Sequence, residues 1–174
     1  CVEIPVIAAN LHRTILPRQS QIWAVIRKTD SLKRIAYSVA ATFLGRMCIS
    51  GDVWQLNENQ WAVIDKGIEF YKEIAAVIKN GQSWRYGPEV KSIRHPEGWQ
   101  AIIRFGDNKK AYVVIHTFLK NVPQQISLRL PDNCPMHITD MFSWESKKVE
   151  IKNQKITFEG LQEEDTVAVF LESM

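Results

Sequence analysis

The sequence has few of the features that mark several large classes of protein. Its 174 residues include three cysteines, Cys1, Cys48 and Cys134, which are odd in number and far apart. They form neither a disulfide framework nor a CxxC metal pair, and we interpret them as apolar filling. No run approaches the ~18 apolar residues of a membrane-spanning helix, and no charged segment precedes an apolar one near the N-terminus. We therefore expect no membrane partner.

Neither sign of charge dominates. The net charge is +3 with 24% charged residues, and Lys and Arg are scattered among Asp and Glu. This pattern disfavours a nucleic-acid partner, which needs a basic patch. The histidines show no ligand spacing, and the chain contains no phosphate-binding loop, nucleophile elbow or dinucleotide fingerprint. We expect neither a metal nor an organic cofactor.

The chain does have enough apolar sequence to fold. At 45% hydrophobic, it can bury the core of one domain, or of a domain plus a fragment of another. It starts with Cys rather than Met and runs at once into the apolar segment 4–9. This start predicts a cut made inside a larger protein.

The first part of the chain has the periodicity of helices. Pro17 is a good first helical residue, and the apolar positions after it predict a short helix over about residues 18–28. Asp30 or Ser31 is expected to cap a second amphipathic helix that ends at Gly45.

A strand and a long helix follow. Residues 47–50 are typical of a short buried strand. Asn57, with Gln60 three residues later, predicts the capping-box start of a helix that ends at residues 80–81. Its apolar positions follow steps of three and four, so one face is expected to be buried.

After residue 81 the apolar period changes to two, which is typical of strands. Seven or so strands are predicted, around residues 99–105, 111–119, 126–130, 136–142, 149–151, 156–158 and 166–171. Residues 152–154 are expected to form a hairpin turn. The spacing indicates an antiparallel sandwich or small barrel, and we divide the chain into residues 1–82 and 83–174.

Asp52 directly follows the strand at 47–50. A strand and helix just before an all-β module is the order in which the last unit of a (β/α)8 barrel would precede an appended sandwich. Residues after the C-terminal ends of barrel strands line the active-site mouth. Asp52 is therefore expected at a barrel rim, where it would accept hydrogen bonds from a polar substrate. The alternative is a turn acid that backbone amides satisfy.

The segment Arg46–Asp52, Arg-Met-Cys-Ile-Ser-Gly-Asp, resembles the eighth barrel strand of the retaining α-galactosidase and melibiase families, which ends in small residues and an Asp. The order of the surrounding helices and the sandwich is also similar, over about residues 31–174. The resemblance implies an α+β fold, in which an N-terminal helical remnant of a (β/α)8 barrel is followed by an antiparallel β-sandwich.

The resemblance also implies a parent enzyme that hydrolyses terminal α-linked sugars with retention. Its nucleophile and acid/base are aspartates from the fourth and sixth strands, and retention needs their carboxyl groups about 5–5.5 Å apart. Both are expected upstream of residue 1, so this chain is expected to hold no catalytic residue and to be inactive alone. Asp30, in Lys28-Thr-Asp, is similar to the family's nucleophile pattern but also fits a helix cap. The segment 9–13 stands at the acid/base position and lacks a carboxylate.

Asp52 and Trp54 are the expected substrate contacts. Trp54 could stack on a sugar face or simply pack before the long helix. The expected partners are the carbohydrate substrate of the parent enzyme and either the rest of the barrel or a second copy of the chain, because helices that cover a closed barrel would otherwise leave apolar stripes exposed.

A second interpretation is a non-catalytic carbohydrate-binding or interaction module. Trp84, Tyr86 and Trp99 cluster near the predicted domain junction and could present an aromatic platform to a glycan. The junction itself needs apolar filling, which would bury the same three rings.

Overall fold

The computed structural model describes residues 2–107, 109–130 and 135–173. Three helices are present in this part of the chain: α1 (Glu3–Leu11), α2 (Leu32–Thr42) and α3 (Glu58–Asn80). Short 3₁₀ turns cover Pro17–Gln19 and Val53–Gln55. The strands are β1 (Gln21–Ile26), β2 (Arg46–Gly51), β3 (Gln82–Tyr86), β4 (Trp99–Phe105), β5 (Lys110–Thr117), β6 (Gln125–Arg129), β7 (Met136–Phe142), β8 (Lys148–Lys152), β9 (Lys155–Glu159) and β10 (Thr166–Ser173).

The strands β1 and β2 form a parallel pair that α2 connects. Ile22 pairs with Met47, and Ile26 pairs with Gly51 at the C-terminal end of both strands. A crossover helix of this kind is what a parallel connection requires. The predicted strand at 47–50 is confirmed, but its residues are partly exposed rather than buried. The cap of α2 is Ser31, whose hydroxyl accepts from the backbone N–H of Arg34 at 3.2 Å.

The predicted helix over residues 18–28 is wrong. Pro17 begins only one 3₁₀ turn, and residues 21–26 form β1 with strictly alternating exposure. Apolar residues at 22, 25 and 26 fit one helix face, but 22, 24 and 26 equally fit one face of a strand. The pairing with β2 decides between them, because such short β-branched segments carry little preference of their own.

The long helix α3 begins and ends as the sequence predicts. The Asn57 side chain accepts from the backbone N–H of Gln60 at 3.0 Å, and the Gln60 side chain accepts from the backbone N–H of Asn57 at 3.0 Å. This reciprocal pair satisfies two amides that would otherwise lack partners. At the other end, the Gly81 amide donates to the Val77 carbonyl at 2.8 Å.

The remaining strands form two antiparallel sheets, in the orders β3-β4-β5-β10-β7 and β6-β9-β8. The predicted antiparallel sandwich is confirmed in this form. The β8–β9 hairpin turns at Asn153 and Gln154, whose φ angles of 50° and 59° are the positive values that a tight hairpin turn needs.

Both faces of the central strands of the five-stranded sheet, β4, β5 and β10, are buried. Ala101, Ile103 and Val113 pack toward the three-stranded sheet, whereas Ile102 and Tyr112 pack with α2 and α3. The molecule therefore has three layers: helices, the five-stranded sheet and the three-stranded sheet. No helix in the described ranges is long and apolar enough to cross a membrane.

Candidate functional site at the ends of the parallel strands

Asp52 lies immediately beyond the C-terminal end of β2. Its backbone N–H donates to the carbonyl oxygen of Ile26 at 2.8 Å, so the two parallel strands stay joined to their last residues. Gly51 makes this approach possible, because its φ is +104° and an added Cβ would lie 2.0 Å from the Ile26 oxygen.

The Asp52 carboxylate is held from the neighbouring strand. One oxygen lies 3.3 Å from the Arg27 guanidinium, and the other accepts from the backbone N–H of Lys28 at 3.3 Å. The side chain is 24% exposed. Since each carboxylate oxygen has two lone pairs, both retain capacity to accept from a ligand that approaches from solvent.

Asp30 lies in the loop after β1, at the same end of the pair. One of its carboxylate oxygens accepts from the Arg27 backbone N–H at 2.8 Å. Arg27 thus contacts both carboxylates, one through its main chain and the other through its side chain. Asp30 is engaged in holding the turn that leads into α2.

Gln60 anchors this loop from the N-terminus of α3. Its side-chain amide donates to the carbonyl oxygens of Lys28 at 3.1 Å and Asp30 at 3.0 Å. Gln60 is only 4% exposed. The same residue completes the capping box, so the start of α3 and the loop that carries Arg27 are held as one unit.

The side chains of β1 alternate in burial, and its more exposed ones line a small pocket together with residues of α1 and α2. Trp23 and Val25 are 51% and 39% exposed, whereas Ile22, Ala24 and Ile26 are buried. Trp54, in the turn after Asp52, is 76% exposed. The substrate-contact roles of Asp52 and Trp54 stay predictions.

The arrangement suits the binding of hydroxyl groups. Two donors orient the Asp52 carboxylate, and an indole lies exposed close by in sequence. No group of three or more His, Cys, Asp or Glu residues within the described ranges could hold a metal ion.

The segment 9–13 does not join this site. It covers the end of α1 and the turn after it, and Asn10 and Arg13 line a groove of about 470 Å³ together with Arg85 and Glu89. The structure associates this segment with the start of the sandwich rather than with Asp52.

The three aromatic residues near the junction are not equivalent. Trp84 packs edge-on against Phe105, with ring centroids 5.4 Å apart, and is 44% exposed. Tyr86 and Trp99 pack against the core between the two antiparallel sheets. Of the three, only Trp99 lines the groove of about 630 Å³ at the start of β4.

Arg27 and Lys28 were not predicted from the sequence as partners of Asp52. Gln60 was not predicted as a partner of the loop after β1. The signal was the composition of residues 21–26, which include four residues that favour strands, Ile22, Trp23, Val25 and Ile26. Had β1 been read as a strand parallel to β2, residues 27–30 would have been expected at the same edge as Asp52.

Comparison with known proteins supports this description of the fold. No protein-family model and no curated protein matches the sequence. The galactosidase domain of the α-galactosidase–sucrose kinase AgaSK matches 98% of this chain with a TM-score of 0.67 and 13% identity. Two GH36 α-galactosidases of Geobacillus stearothermophilus, an AgaA variant bound to 1-deoxygalactonojirimycin and AgaB, match 89% at 16% identity, with TM-scores of 0.58 and 0.57.

The chain spans 24%, 22% and 21% of the lengths of these three proteins. At such low identities the likeness shows the fold alone. It is consistent with the C-terminal portion of an α-galactosidase, so the resemblance first drawn from residues 46–52 is confirmed at the level of fold.

Proposed function

We propose that this chain is the C-terminal part of an α-galactosidase-like glycoside hydrolase that cleaves terminal α-linked sugars with retention. In this proposal residues 1–82 complete a (β/α)8 barrel, and residues 83–174 form the sandwich that buttresses it. The nucleophile and the acid/base lie upstream of residue 1, and the reaction needs no cofactor.

The observation that carries the proposal is the parallel pair β1–β2 with Asp52 at its C-terminal end. Within the described ranges these two strands pair only with each other. Trp23 and Val25 of β1 are partly exposed, whereas Ile22, Ala24 and Ile26 are buried. Further parallel strands would satisfy the free edges of the pair.

Asp52 is proposed to hold a substrate hydroxyl at the barrel rim, with Trp54 against a sugar face. Arg27 and the Lys28 amide orient the carboxylate. The three solved structures compared above are α-galactosidases, which supports an α-galactoside as substrate.

The test compares this chain with a longer protein that joins it to the polypeptide encoded directly upstream. Hydrolysis of p-nitrophenyl α-galactoside is expected only in the longer protein. There, Asp52→Asn should lower kcat/KM by about tenfold or more, because a hydrogen bond to a charged group contributes about 1.5–3 kcal/mol. Asp65→Asn, at an exposed position of α3, is the matched control and should leave kcat/KM unchanged.

Two outcomes would contradict the proposal. One is turnover by the isolated chain that Asp30→Asn abolishes, which would place the nucleophile in this chain. The other is a longer protein that lacks an aspartate at the end of an upstream strand.

The second interpretation, a non-catalytic carbohydrate-binding module, differs in what it requires of the isolated chain. It needs saturable sugar binding without any upstream polypeptide. Trp84, Tyr86 and Trp99 were its expected contacts, and the structure gives these three rings different surroundings.

A further inference from the structure

A groove of about 630 Å³ lies at the start of β4, on the sandwich part of the molecule. Its volume falls within the roughly 300–1,000 Å³ that is usual for small-molecule sites. Residues from three segments line it, including Lys91, His95, Glu97, Trp99 and Asn121. None of the residues around Asp52 contributes to it, so it is separate from the site described above.

One wall of the groove is fixed by backbone hydrogen bonds. The Gly98 amide donates to the carbonyl oxygens of Leu119 at 3.2 Å and Lys120 at 3.0 Å, and the Gly98 carbonyl accepts from the Phe118 amide at 2.7 Å. These bonds join the start of β4 to the end of β5. Trp99 follows directly and is anchored against the sandwich core. The indole is therefore held in place before any ligand arrives.

Glu97 is the polar group best positioned in the groove. Its two carboxylate oxygens accept from the Lys120 ammonium at 3.0 Å and from the Asn121 side-chain amide at 3.3 Å. The Glu97 side chain remains 47% exposed. It thus keeps lone pairs for a ligand, and the carbonyl oxygen of the Asn121 side chain offers another acceptor.

The charges of the lining select against a strongly ionic ligand. Glu89, Glu97 and Lys91 line the groove, and Lys120 pairs with Glu97, so two acidic and two basic side chains balance. An aromatic ring beside fixed hydrogen-bonding groups of both kinds fits a neutral molecule that has an apolar face and a rim of hydroxyl groups.

We propose that this groove is a saccharide-binding site, in which a pyranose ring packs on Trp99 and donates hydroxyl hydrogen bonds to Glu97 and Asn121. The site does not depend on the hydrolase proposed above, because it uses residues of the sandwich only. Its role would be to hold a carbohydrate chain at a distance from the rim that carries Asp52.

The test uses the full chain and the sugars galactose, melibiose and raffinose, followed by saturation-transfer NMR and calorimetry. Saturable binding of at least one sugar is expected. Glu97→Ala should weaken it by about tenfold, which corresponds to about 1.4 kcal/mol. Glu150→Ala is the matched control, because Glu150 also lies on the exposed surface beside a lysine, Lys148 at 3.7 Å, but outside the groove.

Trp99→Phe keeps an aromatic ring against the core while reducing the stacking surface, and it should also weaken binding. Trp84→Ala removes an exposed indole outside the groove and should have no effect. Absence of saturable binding by all three sugars would overturn the proposal. So would binding that Glu97→Ala leaves intact but that Asp52→Asn or Trp84→Ala abolishes, since the sugar would then lie at the rim or on β3.

Discussion

The guanidinium of Arg104 lies 2.5 Å from the hydroxyl of Tyr112, inside the core between the helices and the five-stranded sheet. The Arg104 guanidinium also donates to the Ser83 hydroxyl at 2.7 Å and to the Leu44 carbonyl at 3.2 Å. The Tyr112 hydroxyl donates to the Phe43 carbonyl at 2.6 Å. No ion pair joins Arg104 to a carboxylate among the described residues. Carbonyl oxygens after α2, at the negative end of the helix, are what offset its charge.

This network predicts that Tyr112→Phe destabilises the protein by about 1–3 kcal/mol, because it leaves a buried carbonyl and a guanidinium N–H without a partner. Urea unfolding measures the change. Tyr86→Phe is the control and should shift stability by no more than about 0.5 kcal/mol, since Tyr86 is only partly buried. Equal effects of the two changes would contradict the importance of the network.

His116 should make the protein acid-sensitive. It is 1% exposed, with its ring edge-on to Tyr37 at 4.9 Å, and burial lowers its pKa from 6.5 to about 3, although a hydrogen bond to the Tyr37 carbonyl opposes this. Unfolding therefore takes up a proton below pH 6.5. Stability should be complete above that pH and should fall by about 1.4 kcal/mol per pH unit as the pH drops toward 3.

The measurement is the free energy of unfolding between pH 7 and pH 5, where most carboxylates are still ionised in both states. His116→Gln should reduce the slope by about one proton, although it also changes the packing at neutral pH. His12, whose pKa burial also lowers, provides a second variant with a smaller expected effect. An unchanged slope in His116→Gln would contradict the prediction.

Gly51, at the end of β2, should tolerate substitution poorly. Gly51→Ala places a Cβ against the main chain of Ile26, at a φ of +104°. We expect the free energy of unfolding to fall by about 2–4 kcal/mol, because the backbone is strained and the strand pairing is displaced. Gly160→Ala separates the two causes, because Gly160 also has a positive φ of +72° but an added Cβ meets nothing within 4 Å. The free energy of unfolding of Gly160→Ala should fall by only about 1–2 kcal/mol. Thermal unfolding of both variants checks the difference.

The exposed indole of Trp23 should drive association of the isolated chain. Trp23 is half exposed in the middle of β1, beside a strand edge that is unpaired within the described ranges. Sedimentation should show reversible self-association that Trp23→Glu abolishes. Trp84→Glu, which replaces an exposed indole of the sandwich, should leave the self-association unchanged. A monomer at high concentration would contradict both this prediction and the expected contact with the rest of a barrel.

Long periodic elements and capped ends were predictable from the sequence. The capping box of Asn57 and Gln60 gave the start of α3, and turn residues at 152–154 gave the β8–β9 hairpin. Local chemistry decides such features. The division at residues 82 and 83 stays a prediction, although β3 begins at Gln82 and pairs with β4.

Features that depend on distant pairing were not predictable in this way. β1 was mistaken for a helix, because its identity rests on β2, more than twenty residues later. The burial of β4 on both faces also depends on distant elements, since Ile102 packs toward one neighbouring layer and Ile103 toward the other. At the site, Asp52 was found from its place after a strand, whereas Arg27 required the position of β1.

The position of β10 has a consequence for how the protein is synthesised. This strand is the latest in the sequence, yet it lies between β5 and β7 in the five-stranded sheet. During translation, β5 and β7 each have an edge that waits for Thr166–Ser173, and unpaired edges invite pairing with other chains. A ribosome that stalls before residue 166 would therefore release a nascent chain whose sheet is missing an interior strand, and such a product is a natural substrate for chaperones and proteases.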